Sequence, residues 1–326
     1  MATLRTIRLR IKGTKNIKQI TRAMEAVSAV KMRKSQGVAL AARPYATAAL
    51  EILKNVEAGS GEAGMLSPLL EKREVKNVLL VVVTSDKGLA GPFNTNVIKK
   101  AEQFIKERTT TPNPSLERRG GEATVATVGK KAGDYFTRRG RTPIVALTGY
   151  GDYAEISEVQ PIFEAITEAF ISKRVDEIYI IYTNFLSAMK QEVVIRKLLP
   201  FSGEGLEEMV RGIVPERGRF AEPSVEARLP QQQNRRSQAS TEYLFEPSPK
   251  EILESILPAL LKIQIYHAIL EANASEHSSR MIAMRNATDN ASELIKSYTV
   301  SMNKARQSAI NKELAEITGG SEALAS

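Results

Sequence analysis

The stretch whose residue types and spacing come nearest to a chemical motif is SDKGLAGPFN at 85–94. It follows an apolar run that reads as a strand and precedes a helical pattern, the place where α/β proteins often bind phosphates. Its glycines match neither GxGxxG nor the GxxxxGK pattern that continues into Ser or Thr. Lys87 precedes the glycines, and no hydroxyl residue follows it where Mg²⁺ chemistry needs one. A structural turn is the better reading. Asp86 and Asp134 are the nearest candidates for a general acid or base, but no histidine or matched carboxylate lies near them in sequence, so no catalytic residue is assigned. The chain has no cysteine, which excludes a disulfide framework, thiolate metal sites and cysteine catalysis, and fits a reducing compartment. Its two histidines, His267 and His277, are ten residues apart with no thiols to join them, a poor basis for a metal site. No metal and no cofactor are expected.

Few chemical groups shift attention to the scaffold. From Ala2 to Arg43 there is no proline, and Leu4, Ile7, Ile11, Ile17, Ile20, Met24, Val27 and Val30 recur at helical steps, apart from a gap after Ile11. Gly13 coincides with that gap and predicts a bend or thinning there. Pro44 should interrupt the helix, with the pattern resuming to about Glu57. The middle changes period. Strands are expected at Val78–Val83, Thr124–Val128, Ile144–Leu147, Glu177–Thr183 and Glu192–Leu199, with helices at 94–108, 130–138 and 156–173. Alternating strands and helices predict a Rossmann-like sheet covered by helices. Residues 109–121 and 202–240 read as surface insertions.

The last segment is a long rod. From Ala259 to Thr318 neither proline nor glycine occurs, sixty residues that as one helix would span roughly 90 Å. Leu270, Ala274, His277, Met281, Met284, Thr288, Ala291, Ile295, Tyr298, Met302, Ala305 and Ala309 alternate steps of four and three, a heptad seam of small and flexible residues. His277 therefore reads as a packed or partner-facing histidine. The helix at the other end of the chain is the nearest partner, which predicts an antiparallel coiled coil with the α/β domain inserted in it. The fold class expected is mixed α/β. Its parts are an N-terminal coiled-coil helix at 1–58, an α/β domain at 76–200, a flexible insertion at 201–241, and a foot strand with the long C-terminal helix at 242–326.

Charge is concentrated at one end. Residues 1–34 hold ten Lys or Arg against one acid, Glu25, so this segment accounts for the chain's whole net charge of +9. Such a segment seeks an acidic partner: nucleic acid, anionic lipid or an acidic protein surface. KMRK at 31–34 stays open between a solvated charge run, a nucleic-acid patch and a docking site, although the aromatics that would stack bases are missing from 1–44. A mitochondrial transit peptide is not supported, because the helical pattern runs unbroken past Glu25. The longest apolar run, Val78–Val83, is far short of the roughly twenty residues a membrane helix needs.

Five blocks, IKQITRAMEAVSAVKMRKSQ (17–36), TSDKGLAGPFN (84–94), YLFEPSP (243–249), ASEHSSRMIAMRNATDNASELI (274–295) and RQSAINKELAEITGG (306–320), resemble the gamma subunit of F-type ATP synthases. In the terminal block Ile310, Glu313, Glu316 and Gly320 match the family's pattern, whereas Asn311 and Ser321 stand where Thr and Ala are usual. The resemblance implies a non-catalytic rotor shaft inside a ring of alpha and beta subunits, with epsilon and the c-subunit ring as further partners and no nucleic acid. Membrane contact would be indirect, through the c ring, on the cytoplasmic side of a bacterial inner membrane. It also implies that Met24, Lys31, Arg33 and Lys34 face the acidic C-terminal lever of beta. Arg306 and Gln307 would meet a loop of beta, Glu313 and Glu316 would lie beyond them, and Tyr243 and Glu246 would touch the c ring. Two other classes remain as alternatives: a coiled-coil nucleic-acid binder, whose affinity would fall steeply with salt, and an α/β nucleotide enzyme, which ATP or NAD would stabilise.

Overall fold

A computed structural model describes residues 4–41, 67–71, 73–110, 123–151, 155–201 and 249–325. The expected resumption of the first helix after Pro44, the foot with Tyr243 and Glu246, and the insertion at 202–240 lie outside them, as do residues 111–121 of the other insertion. The described residues divide into two compact units, 30–279 and the pair of segments 1–29 with 280–326.

In the larger unit the six apolar residues of β1 (Val78–Val83) are all buried, as a strand covered on both faces requires. β1 pairs in parallel with β2 (Ala123–Val128) and with β4 (Glu177–Phe185). β3 (Ala146–Leu147) extends the parallel sheet beside β2, and β5 (Gln191–Leu199) closes it antiparallel to β4, giving the order β3-β2-β1-β4-β5. The third strand is two residues long where four were expected. Alternate residues of β1 point to opposite faces. Leu80 and Val82 meet Val97, Ala101 and Ile105 of α2 (Phe93–Thr110) and Ala132 and Phe136 of α3 (Lys130–Arg138). Leu79, Val81 and Val83 share the other core with Ile162, Ile166 and Phe170 of α4 (Gln160–Ile171).

That second core also contains Leu257, Leu260, Leu261, Ile265 and Ile269 of α5 (Pro249–Ala325). The helix therefore starts ten residues earlier than expected and runs through Pro258. A proline inside a helix costs about 3 kcal/mol. Leu257, Leu260 and Leu261, each fully buried, offset it, since burying one such side chain contributes about 1.5–3 kcal/mol. Further along, the Ser275 hydroxyl donates to the Thr183 carbonyl at 3.0 Å and that of Ser278 to the Ala188 carbonyl at 2.6 Å, tying α5 to the β4–β5 hairpin. Leu270, Ala274 and His277 are buried here, within the α/β unit. The seam's first quarter thus serves the sheet, and the coiled coil begins after it.

In the smaller unit, the start of α1 (Leu4–Ala41) pairs antiparallel with the second half of α5. The inward or half-buried positions of α1 include Leu4, Ile7, Ile11, Thr14, Lys18, Thr21, Glu25 and Ser28, a heptad seam without a gap. Thr14 and Lys18 fill the interval where apolar residues run out, and the helix continues through Gly13. Ile17, Ile20, Val27 and Val30, expected in the stripe, are instead 53–64% exposed. Leu4, Ile7 and Ile11 turn inward as expected, but past Ile11 hydrophobicity picked the wrong face because the true seam there carries hydroxyls and charged stems. On α5, Met281, Met284, Thr288, Ala291, Ile295, Tyr298, Met302 and Ala305 turn inward or are half-buried as expected, whereas Ala309 is exposed.

Candidate functional site

The turn after β1 is held from every side by its own side chains. Asn94 Oδ1 accepts from the Ser85 backbone N–H at 2.9 Å, while its amide nitrogen lies 2.8 Å from Ser85 Oγ. The Asp86 carboxylate reaches across the strand ends, accepting from the Lys130 N–H at the start of α3 at 2.7 Å and from the Gly149 N–H at 2.8 Å. The Ser85, Lys130 and Gly149 N–H groups are thus taken by Asn94 and Asp86, and the loop is a brace between strand ends. Gly129 makes it possible: at φ +92 it passes so close to β1 that a Cβ would fall 2.1 Å from the Thr84 carbonyl oxygen.

Asp86 also lines an open cleft of about 230 Å³ with Lys87, Tyr150, Asn273, Glu276 and His277. The Tyr150 hydroxyl donates to the Thr84 carbonyl at 2.7 Å. Burial, and then the nearby Glu276 and Asp86 carboxylates, push its pKa well above the usual tyrosine value, so it stays a donor. Among the described residues no group of three or more acids or histidines could hold a metal ion. Asp134 is not drawn into the cleft. The brace leaves Leu89, in a left-handed conformation at φ 63, projecting from the turn and 64% exposed.

The other sequence-derived positions lie on helix surfaces. Met24 and Lys31 are half-buried on α1, and Arg33 and Lys34 are exposed there. Arg306, Gln307, Glu313 and Glu316 are exposed on α5, where Lys312 and Glu316 pair at 3.5 Å one turn apart. This end also has an apolar character that the residues singled out from the sequence do not show. Every residue from 306 to 318 is exposed, yet Ile310, Leu314 and Ile317 line up at steps of four and three, 49–64% exposed. Among the described residues none covers this helix end, and an exposed apolar stripe of this kind marks an interaction surface. The signal was present as spacing, but only the position of α1, which starts at Leu4, shows that the seam has ended before it. No helix among the described residues is long and apolar enough to cross a membrane.

A family model described as ATP synthase matches residues 3–324. A Chloroflexus aurantiacus protein named ATP synthase gamma chain is 39% identical over 327 residues, covering 100% of both chains. One of the same name from Trichormus variabilis is 40% identical over 324 residues, covering 99% of this chain and 100% of its own. Among solved structures, a chain of the Euglena gracilis mitochondrial ATP synthase, from a structure of its OSCP/F1/c-ring, superposes with a TM-score of 0.62 at 19% identity. The match covers 98% of this chain and 94% of that one. A chain of the Tetrahymena thermophila mitochondrial ATP synthase central stalk and c-ring matches with a TM-score of 0.53 at 21% identity, over 82% and 99%. The two structural matches speak to the fold alone.

Proposed function

The chain belongs to the ATP synthase gamma-chain family, the non-catalytic central-stalk rotor of F-type ATP synthases, and from that premise we propose how its surface couples rotation to catalysis. The observation that carries the proposal is the α5 end, exposed all round from 306 to 318 with an apolar stripe along it. This end continues a helix already nucleated, but its apolar stripe gains burial only where another surface covers it, and a ring of alpha and beta subunits supplies one.

Met24, Lys31, Arg33 and Lys34 on α1 face the acidic lever of beta. Exposed ion pairs are individually weak and screened beyond about 8 Å. That suits a contact that must form, release and form again on the next beta subunit in each turn. Arg306 and Gln307 meet a beta loop near the top of the shaft, with Glu313 and Glu316 beyond them. Tyr243 and Glu246, outside the described residues, rest on the c-subunit ring, and epsilon joins the foot. As the shaft turns, its unequal faces favour a different conformation at each catalytic site in succession, a population shift driven by differential contact. Ion flow through the membrane sector thereby drives ADP phosphorylation, with protons as the coupling ion and the chain peripheral on the cytoplasmic side of a bacterial inner membrane.

Mixing the chain with alpha and beta subunits of a bacterial F-type ATPase, isolating the assembly by size exclusion and assaying Mg-ATP hydrolysis tests this. A three-to-three-to-one complex that hydrolyses ATP only with the chain present is the expected result. Elution of the chain alone, where another gamma chain assembles, would refute it.

A further inference from the structure

We propose that the buried hydroxyl pair Thr21–Thr288 sets the axial register of the two shaft helices. The two Oγ1 atoms lie 2.7 Å apart, and the residues are 8% and 9% exposed. Antiparallel pairing through this layer sets Lys18 opposite Ala291, Thr14 opposite Ile295, Ile11 opposite Tyr298 and Ile7 opposite Met302. Every seam residue of α1 from 4 to 28 then meets a seam residue of α5.

Apolar packing alone discriminates poorly here. Between Ile11 and Ser28 the α1 seam reads Thr14, Lys18, Thr21, Glu25, Ser28, without one hydrophobic side chain. Sliding α5 by one layer, about 5 Å, sets Thr288 opposite Glu25, Ala291 opposite Thr21 and Ile295 opposite Lys18, so in this stretch α5 still meets small or polar partners and little apolar area changes hands. The Thr–Thr bond is different, because a hydrogen bond is lost within a few tenths of an ångström beyond about 3.2 Å.

The protons agree with a single arrangement. Thr288 Oγ1 is 2.8 Å from the Met284 carbonyl and Thr21 Oγ1 is 3.1 Å from the Lys18 carbonyl. Each hydroxyl has one proton. The shorter distance assigns that of Thr288 to Met284 and leaves that of Thr21 to cross to Thr288. In a displaced register both hydroxyls still bond back to their own helices, so no polar group is orphaned. The difference is one net hydrogen bond, a preference of roughly twofold to tenfold. A polar layer in a seam gives up stability for register, as a buried asparagine does in a coiled coil. For a shaft that carries torque, helices that do not slide keep the spacing between contacts on α1 and on the end of α5.

The absence of cysteine makes the test direct. In the full-length chain, Lys18→Cys is combined with Ala291→Cys, the native layer, or with Ile295→Cys, one layer displaced, and disulfide formation is timed under mild oxidation. The backgrounds are the parent, Thr21→Val with Thr288→Val, and Thr21→Ser with Thr288→Ser. The displaced-to-native rate ratio is expected to rise roughly twofold to tenfold in the valine background and return to the parent value with serine. An unchanged ratio in the valine background, whatever happens to the melting temperature, overturns the proposal. Should the double valine chain not fold, Thr21→Val alone decides in the same way, since Thr288 keeps its bond to Met284.

Discussion

Replacing Ile310, Leu314 and Ile317 together by serine separates the chain's own stability from its assembly. These side chains are 49%, 56% and 64% exposed, so in the free chain they contribute little burial. Isoleucine and serine have similar helix propensities, and leucine exceeds serine by only a few tenths of a kcal/mol. The free chain should therefore unfold within about 0.5 kcal/mol of the parent, the ordinary range for surface changes. Inside a ring the balance differs. Fully burying an Ile or Leu contributes about 1.5–3 kcal/mol, and half or more of that remains to be gained here. Each residue then contributes about 0.7–1.9 kcal/mol to assembly and the three about 2.5–5 kcal/mol, a weakening of roughly seventyfold to a few thousandfold. Calorimetry on the free chain, with titration of alpha and beta followed by ATP hydrolysis and size exclusion, reads both quantities. A free chain that melts much lower would show the stripe to be packed within the chain, and unaltered assembly would show that no sleeve covers it. Either result refutes the reasoning.

Two glycines make opposite predictions. Gly129→Ala places a Cβ 2.1 Å from the Thr84 carbonyl at φ +92 and should cost about 2–5 kcal/mol, whereas Gly13→Ala, in open space within α1, should stabilise by about 1 kcal/mol; chemical denaturation compares them. Tyr179 gives a pH signature. Its hydroxyl donates to Glu177 at 2.9 Å and accepts from Arg108 at 2.8 Å. Burial, with the Glu177 charge second, moves its pKa from 10.0 up to about 12. Between those values the unfolded chain has lost a proton that the folded chain keeps, so this contribution to stability, complete below pH 10, is lost as pH rises toward 12. Melting curves across that window should fall less steeply in Tyr179→Phe, and identical slopes would remove Tyr179 as the cause.

Much of the architecture was legible because it depends on local repetition. A six-residue apolar run rich in valine and followed by turn residues reads as a buried strand, and sixty residues free of proline and glycine with a seam stepping by three and four read as a long helix. The turn at 85–94 could be told from a phosphate loop by where Lys87 stands relative to the glycines. The resemblance blocks likewise sit in linear sequence, and the family follows from them.

Tertiary structure decided the matters that depend on what lies opposite. Periodicity finds a stripe, but Ile17, Ile20, Val27 and Val30 are as periodic as the seam, and only the position of α5 shows that Thr14, Lys18, Thr21 and Ser28 face inward. The same holds for α5 itself, whose pattern is continuous while its neighbours change. Near Leu260 it meets a sheet, near Thr288 it meets α1, and from 306 to 318 no described residue covers it. Hydrophobicity is a property of a residue, whereas burial is a property of a pair of surfaces, and the second surface is supplied by residues hundreds of positions away.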